Sequence, residues 1–331
     1  MKKFTFILAS LLVFFLVQNP ILAEETDKNI IKYEKDGRVK PIPEANTLSE
    51  KDLNNVLEEI GVHSDVTSNL SKTEKENIAE QGGKAIDVQV ESVKKYYTSF
   101  DGTRIEYTKK NLEKIKKQKV KDLKTYNKKT GKNLSIMKIE PTVMPTNGNI
   151  STMALKDRVK INGKLEFAQQ VIYLGSTTTA YKYLINTNAA WNGRPLNQKT
   201  DAMGVAWDKG GVAVADTFKG NYSQETEVAD GKGGTTWISS NKALSMTSPQ
   251  AYGHGVKVSL GGGDFQNINM QREMRASKKL AGDPAYLVAK YHHTHLTISG
   301  ISISIGIVSV DIAGSSGDDT VIEYSYYYGD K

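Results

Sequence analysis

No cysteine occurs among the 331 residues, which excludes disulfides, thiol nucleophiles, iron–sulfur clusters and cysteine-ligated zinc. Histidine is scarce, with five in the whole chain, and no H-E-x-x-H spacing places two of them on a helix beside a glutamate. The G-x-S-x-G elbow of α/β-hydrolases is missing. No repeat period is evident. After the N-terminus there is no apolar run of the roughly 20 residues a spanning helix needs. No sequence feature calls for a cofactor.

The N-terminus does carry an apolar run. Lys2 and Lys3 precede FTFILASLLVFFLVQNPILA, and Ala23 stands before the acidic Glu24 and Glu25. A charged start, a short apolar core and a small residue at the boundary are the parts of an export signal. Phe4 to Val17 is too short to span a bilayer. The expectation is cleavage after Ala23 and a secreted, extracellular or wall-associated chain. A lysine-rich exported protein without disulfides fits a bacterial route.

The formal charge of +7 is unevenly spread. Residues 24–103 carry an acidic excess, whereas residues 104–138 hold 13 basic side chains against 3 acidic ones. Residues 24–48 contain Pro41 and Pro43 with no sustained hydrophobic period, and read as a flexible arm. Residues 49–140 read as a helical, charged region or a propeptide. Ser49 with Asp52 starts one helix, Leu53, Val56, Leu57 and Ile60 repeat at helical spacing, and Gly61 stands at the C-cap. Ser71 and Glu74 suggest a second, short helix ending at Gly82-Gly83. Residues 84–100 fit a strand through Ile86, Val88 and Val90, or a helix through Ile86, Val90, Val93 and Tyr97. A lysine-covered helix follows and ends near Gly131. Pro141, Pro145 and Asn147-Gly148 mark a linker over 141–149.

From residue 150 onward, short alternating runs are separated by glycine-rich turns, with one weak helix candidate at Gln271–Leu280. This pattern predicts an antiparallel sandwich or flattened barrel over 150–331, folding by itself and preceded by a smaller, mainly α region. The crossover helices of a parallel sheet are missing.

Candidate sites are sparse. His293 and His295, two apart on a strand, share a face, and His254 could complete a metal shell with them. Asp208, Asp216 and Asp264 could pair with Glu225, Glu227 or Glu273 as acid and base of a hydrolase. Trp191, beside the Asn192-Gly193 turn, and Trp237 are candidates for stacking on a sugar. Trp207 alternates with Val205 and reads as core. Lys110, Lys114, Lys117 and Lys121 on the basic helix could meet an anionic wall polymer or a membrane surface. Nothing argues for specific nucleic-acid readout.

Segment 301–328 stands apart. Ile301, Ile303, Ile305 and Ile307 alternate with Ser302, Ser304 and Gly306, and then Val308, Val310 and Ile312 resume on the other parity. The parity change predicts a bulge or a strand end near Ile307–Val308, then a turn at Gly314–Asp319 and a strand over Val321–Tyr328. A sandwich core and a membrane-crossing hairpin both produce such alternation. The leading expectation is a non-enzymatic secreted β protein that binds a surface polymer or glycan. A secreted hydrolase and a pore-forming protein are the alternatives.

Overall fold

The computed structural model describes residues 30–135, 154–155, 158–161, 164–195, 199–231, 234–247 and 250–329. The export signal and the proline-marked linker lie outside the described residues.

The sequence signals at the first helices correspond to real caps. Helix α1 (Glu50–Ile60) begins where the Ser49 hydroxyl accepts the Asp52 amide, and it ends on Gly61 in the left-handed region at φ 94°. After the short α2 (Ser64–Thr67), α3 (Lys72–Gln81) starts with a reciprocal capping box between Ser71 and Glu74. Leu53, Leu57, Ile60 and Ile78 are fully buried, and burying each such side chain contributes about 1.5–3 kcal/mol. Residues 30–48 are not a free arm. Val39 bridges to both Tyr33 and Gly83, and Val39 and Ala45 are buried beneath the helices.

The ambiguous stretch resolves as strand: β1 (Lys84–Ala85), β2 (Gln89–Thr98) and β3 (Arg104–Glu106). Helix α4 (Leu112–Thr130) carries the lysines. The remaining strands are β4 (Ala154–Leu155), β5 (Arg158–Ile161), β6 (Leu165–Ser176), β7 (Ala180–Asn192), β8 (Thr200–Trp207), β9 (Gly211–Ala213), β10 (Lys219–Ala229), β11 (Thr235–Ala243), β12 (Gly253–Ser259), β13 (Phe265–Ser277), β14 (Pro284–Gly306) and β15 (Ser309–Tyr327). The helix expected at Gln271–Leu280 is instead the end of β13 followed by a short 3-10 turn, because its side chains alternate across a paired strand.

Among the described residues every strand pairing is antiparallel. One sheet of nine strands runs β11-β10-β13-β7-β6-β5-β4, with β1 on β6 and β9 on β13. The other, of six strands, runs β12-β8-β14-β15-β2-β3. Their facing sides close over Trp207, Tyr183, Met270, Leu287, Tyr324 and Tyr326. A mainly α N-terminal region followed by a large antiparallel β region is therefore the architecture. The β core nevertheless extends beyond 150–331: β2 pairs along β15 from Gly317↔Thr98 to Ser325↔Gln89, so residues from both halves share one sheet.

The outer face of the nine-stranded sheet is covered by α1 and α3, which pack on Ala168, Ile172 and Leu184. Helix α4 lies against the six-stranded sheet, with Leu123 and Tyr126 on Leu296, and Ile115 beside Tyr97 and Ile105. The stretch Gly314–Asp319 is not a turn. It belongs to β15, where Ser315 meets His292, Asp318 pairs with His295 and Asp319 with Lys290.

Candidate functional site

Beneath the helices the sheet presents amides as well as apolar side chains. The Asn186 amide donates to Gln170, the Asn269 amide to Asn186 at 2.8 Å, and the Asn188 amide to Asn267. Into this row reaches Glu74, the capping-box residue of α3, which is fully buried. Its carboxylate accepts from the Ser71 amide at 2.6 Å, from Asn267 at 2.7 Å and from Asn221 at 3.2 Å. Burial pushes its pKa up to about 7 even though these hydrogen bonds pull the other way. Nearby, Lys75 pairs with Glu50, and Lys219 with Glu80 at 2.9 Å. The helices are thus fastened to the sheet by polar contacts as well as apolar ones.

Beside this fastening a cleft of about 560 Å³ opens between the helices and the strands. Ser68, Asn69 and Lys72 line the helical wall; Ser223, Ser239, Asn241, Asn192 and Phe265 line the sheet. The register puts Ser239 and Phe265 opposite Glu225, and Trp237 opposite Glu227, so these rings and hydroxyls share the outer face. Trp237 and Phe265 are 49% and 43% exposed, and their ring centroids lie 5.4 Å apart. Two adjacent aromatic rings are thus left open beside a polar cleft. The turn before Phe265 is held by Asp264, which accepts from Arg194 at 2.8 Å and from the Glu227 amide at 3.0 Å. The Arg194 hydrogen bond holds the Asp264 carboxyl below its ordinary pKa.

The tryptophans divide accordingly. Trp207 is fully buried, with its indole donating to the Gly211 carbonyl at 3.0 Å. Trp191 lines the cleft, but its indole N–H is committed to the Tyr291 hydroxyl at 2.8 Å and its ring packs on His293. Trp237 is the open ring. Phe265 was not singled out from sequence, although its place directly after Gly-Gly-Gly-Asp, at the mouth of a strand, was the available signal.

The histidines do not converge. His293 and His295 share a face as expected, with rings 5.8 Å apart, yet each is taken by a carboxylate. His293 Nδ1 meets Asp201 at 2.8 Å, and His295 Nε2 meets Asp318 at 3.2 Å. Burial pulls His293 down, but the Asp201 carboxylate outweighs it and leaves the pKa raised. Burial dominates at His295, whose pKa is lowered. Asp318 also takes the Tyr107 hydroxyl at 2.6 Å, and His295 and Lys119 hold it well below the usual range despite burial. His254 is elsewhere, packed against the rings of Trp207 and Phe218 with neither nitrogen hydrogen-bonded. Burial, assisted by Arg272, pushes its pKa down to about 3. A shell of His254, His293 and His295 is therefore corrected: among the described residues no three His, Asp or Glu side chains are placed to hold a metal ion.

Of the carboxylates proposed for hydrolysis, Asp264 lies beside Glu225 and Glu227, with its side chain committed to Arg194 and the Glu227 amide. Asp208 accepts from the Tyr286 amide and the Tyr328 hydroxyl, both at 2.7 Å, and Glu227 accepts from Thr235 at 2.6 Å. Of that set only Glu225 lines the cleft. Lys110, in the 3-10 turn before α4, and Lys114, Lys117 and Lys121 on α4 are all exposed while Ile115, Leu123 and Tyr126 face inward.

No family model matches the chain, and no curated protein matches it. Solved structures overlap it slightly. The Clostridium perfringens NetB toxin in its membrane-inserted form aligns over 52% of this chain and 94% of its own at 8% identity, TM-score 0.26. The Clostridium perfringens delta-toxin aligns over 52% and 88% at 6% identity, TM-score 0.28. The collagen-binding subdomain of the Enterococcus faecalis surface protein ACE aligns over 43% and 87% at 7% identity, TM-score 0.22. Alignments this slight establish neither a common fold nor a common activity.

Proposed function

We propose that this chain is a secreted or wall-associated, non-enzymatic β-sandwich protein that binds a glycan strand of a cell surface in the cleft beside Phe265 and Trp237. The observation that carries this reading is the pairing of two open aromatic rings with a cleft lined by serine and asparagine side chains. Sugars present apolar C–H faces flanked by hydroxyls, and such a surface meets both demands. The exposed lysines of α4 add a diffuse attraction for anionic polymers, which salt screens.

The test is a pull-down on insoluble cell-wall glycan, followed by calorimetry with soluble fragments. Replacing both Trp237 and Phe265 by alanine should weaken binding at least tenfold, since an aromatic contact contributes about 0.5–1.5 kcal/mol beyond its buried area. Trp191→Phe should change affinity much less, because its indole N–H serves Tyr291. Equal binding by the wild type and the double variant refutes the platform. Replacing Lys110, Lys114, Lys117 and Lys121 by glutamine should reduce only the salt-sensitive part.

A further inference from the structure

The segment between Ile298 and Ser316 is one hairpin, formed by the end of β14 and the start of β15, and it does not continue the direction of its own strands. The β14–β15 ladder is regular from Pro284↔Tyr327 to Thr294↔Gly317, shifts register between Thr294 and Leu296, breaks between Thr297 and Ser302, and resumes from Ser302↔Ala313 to Gly306↔Ser309. At the break, Gly300 and Gly314 face each other with φ of 91° and 87°, and a Cβ on Gly314 would strike the Gly300 carbonyl. Beyond that pair the hairpin lies back over the outer face of the six-stranded sheet. Its tip reaches the far end of β8, where the Val308 amide donates to the Trp207 carbonyl at 3.2 Å. Lys257 donates to the Ile301 carbonyl at 3.1 Å.

The seat is made of small residues. Ala202, Gly204 and Ala206 follow one another on the outer face of β8, and Gly253 and Gly255 stand opposite Ala206 and Gly204 on β12. A side chain at any of the three glycines would collide: a Cβ on Gly204 would lie 2.7 Å from Val310, on Gly253 2.6 Å from Ile305, and on Gly255 3.0 Å from Ile303. Ile301, Ile305, Val310 and Ile312 are buried against this floor in a cluster separate from the main core, while Ser302, Ser304 and Asp311 face water. Removing the hairpin would therefore expose the glycines and alanines of β8 and β12 and leave the β14–β15 ladder from Pro284↔Tyr327 to His293↔Asp318 in place. The large apolar surface travels with the hairpin.

We propose that this hairpin detaches by straightening at Gly300 and Gly314 and inserts its isoleucine face into a lipid bilayer. Beyond the two glycines the arms are Ile301–Gly306 and Ser309–Ala313; straightened, they run on into the β14–β15 ladder, and with Ile298–Gly300 and Gly314–Gly317 drawn in from its end each reaches nine residues, where a membrane-crossing strand needs about 9–11. A lone hairpin leaves backbone edges unpaired in lipid, so hairpins of several copies close into a barrel. Ser302, Ser304 and Asp311 then line the lumen, and the isoleucines face the acyl chains. The inference goes beyond glycan binding, which the cleft could perform with the hairpin seated.

Because the chain has no cysteine, introduced thiols report without background. In the chain beginning at Glu24, single variants Ile303→Cys and Ser304→Cys, each labelled with an environment-sensitive fluorophore, are mixed with phosphatidylcholine vesicles with and without phosphatidylglycerol. The label at 303 should brighten several-fold and be quenched by spin-labelled lipid; the label at 304 should not. Dye release should accompany insertion. A disulfide between Gly204→Cys and Val310→Cys should slow release at least tenfold, with recovery on reduction. Equal responses at 303 and 304, release indifferent to the disulfide, or no release from either vesicle overturns the proposal. Should the double variant fail to fold, the 303/304 comparison decides alone. Loss of glycan binding in the Trp237/Phe265 variant leaves these readouts unaffected.

Discussion

Glu74→Gln tests how the helices are fastened to the sheet. The carboxyl of Glu74 has a pKa of about 7 in the folded chain against 4.5 for an ordinary glutamate. The raised value means that the fold favours the neutral form. Between those two values the folded chain keeps a proton that the unfolded chain has released, so stability falls as pH rises through this window and is level above it. A shift of this size corresponds to about 3 kcal/mol. Glutamine cannot ionise and removes that dependence. It also brings two amide hydrogens where the neutral carboxyl carries one and the ionised carboxylate none. The Ser71 amide and Asn267 can still share its oxygen, while Asn221 must turn its amide over and give up its bond to the Ser71 hydroxyl. That loss costs about 1 kcal/mol. The variant should therefore be less stable than wild type by about 1 kcal/mol at pH 4.5 and more stable by about 2 kcal/mol at pH 8. Urea titrations followed by tryptophan fluorescence across that range supply both numbers. A difference of the same sign and size at both pH values would show that Glu74 is not the group that titrates.

Two further outcomes rest on other buried groups. His254 is held neutral to about pH 3, below its unfolded value, so it contributes stability that is lost as pH falls from about 6.5; His254→Phe should flatten the urea midpoint between pH 7 and pH 4, and an unchanged acid limb would refute this. A chain restricted to residues 150–331 loses β1–β3 and the helices, baring Ile172 and Leu184 and leaving one side of β15 unpaired. It should show no cooperative unfolding transition by circular dichroism, and a sharp one would show that the sandwich closes unaided.

Local signals in the sequence were read well because their causes are local. Ser49, Gly61 and the Ser71–Glu74 box act within a few residues, and each stands where its type demands. The strand end near Ile307 followed from a parity change, and the turn does fall there, with Val308 at a positive φ of 48°. Segments whose conformation depends on distant partners were not legible. Gly314–Asp319 resembles a turn because it is small and polar, yet Asp319 is buried against Lys290 at 2.8 Å and against His292, and Ser315 also meets His292. Residues 84–100 satisfied two periods at once, and only their pairing with β15 selects one. The same limit applies to the cleft: Ser223, Ser239 and Phe265 lie on three strands, and no spacing along the chain announces that they meet.

The place of β15 in the six-stranded sheet bears on the order in which the chain can fold. This last strand lies between β14 and β2, and it contributes Ile322, Tyr324 and Tyr326 to the space between the sheets. Until it arrives, β2 has no neighbour on that side and the interior lacks three of its large side chains. Contacts spanning more than two hundred residues, such as Thr98↔Gly317, form slowly because a long loop must close first. A chain emerging from its N-terminus therefore stays open until nearly all of it is present. Were the chain threaded unfolded through an export channel, as its N-terminal apolar run predicts, this topology would keep premature closure from blocking passage.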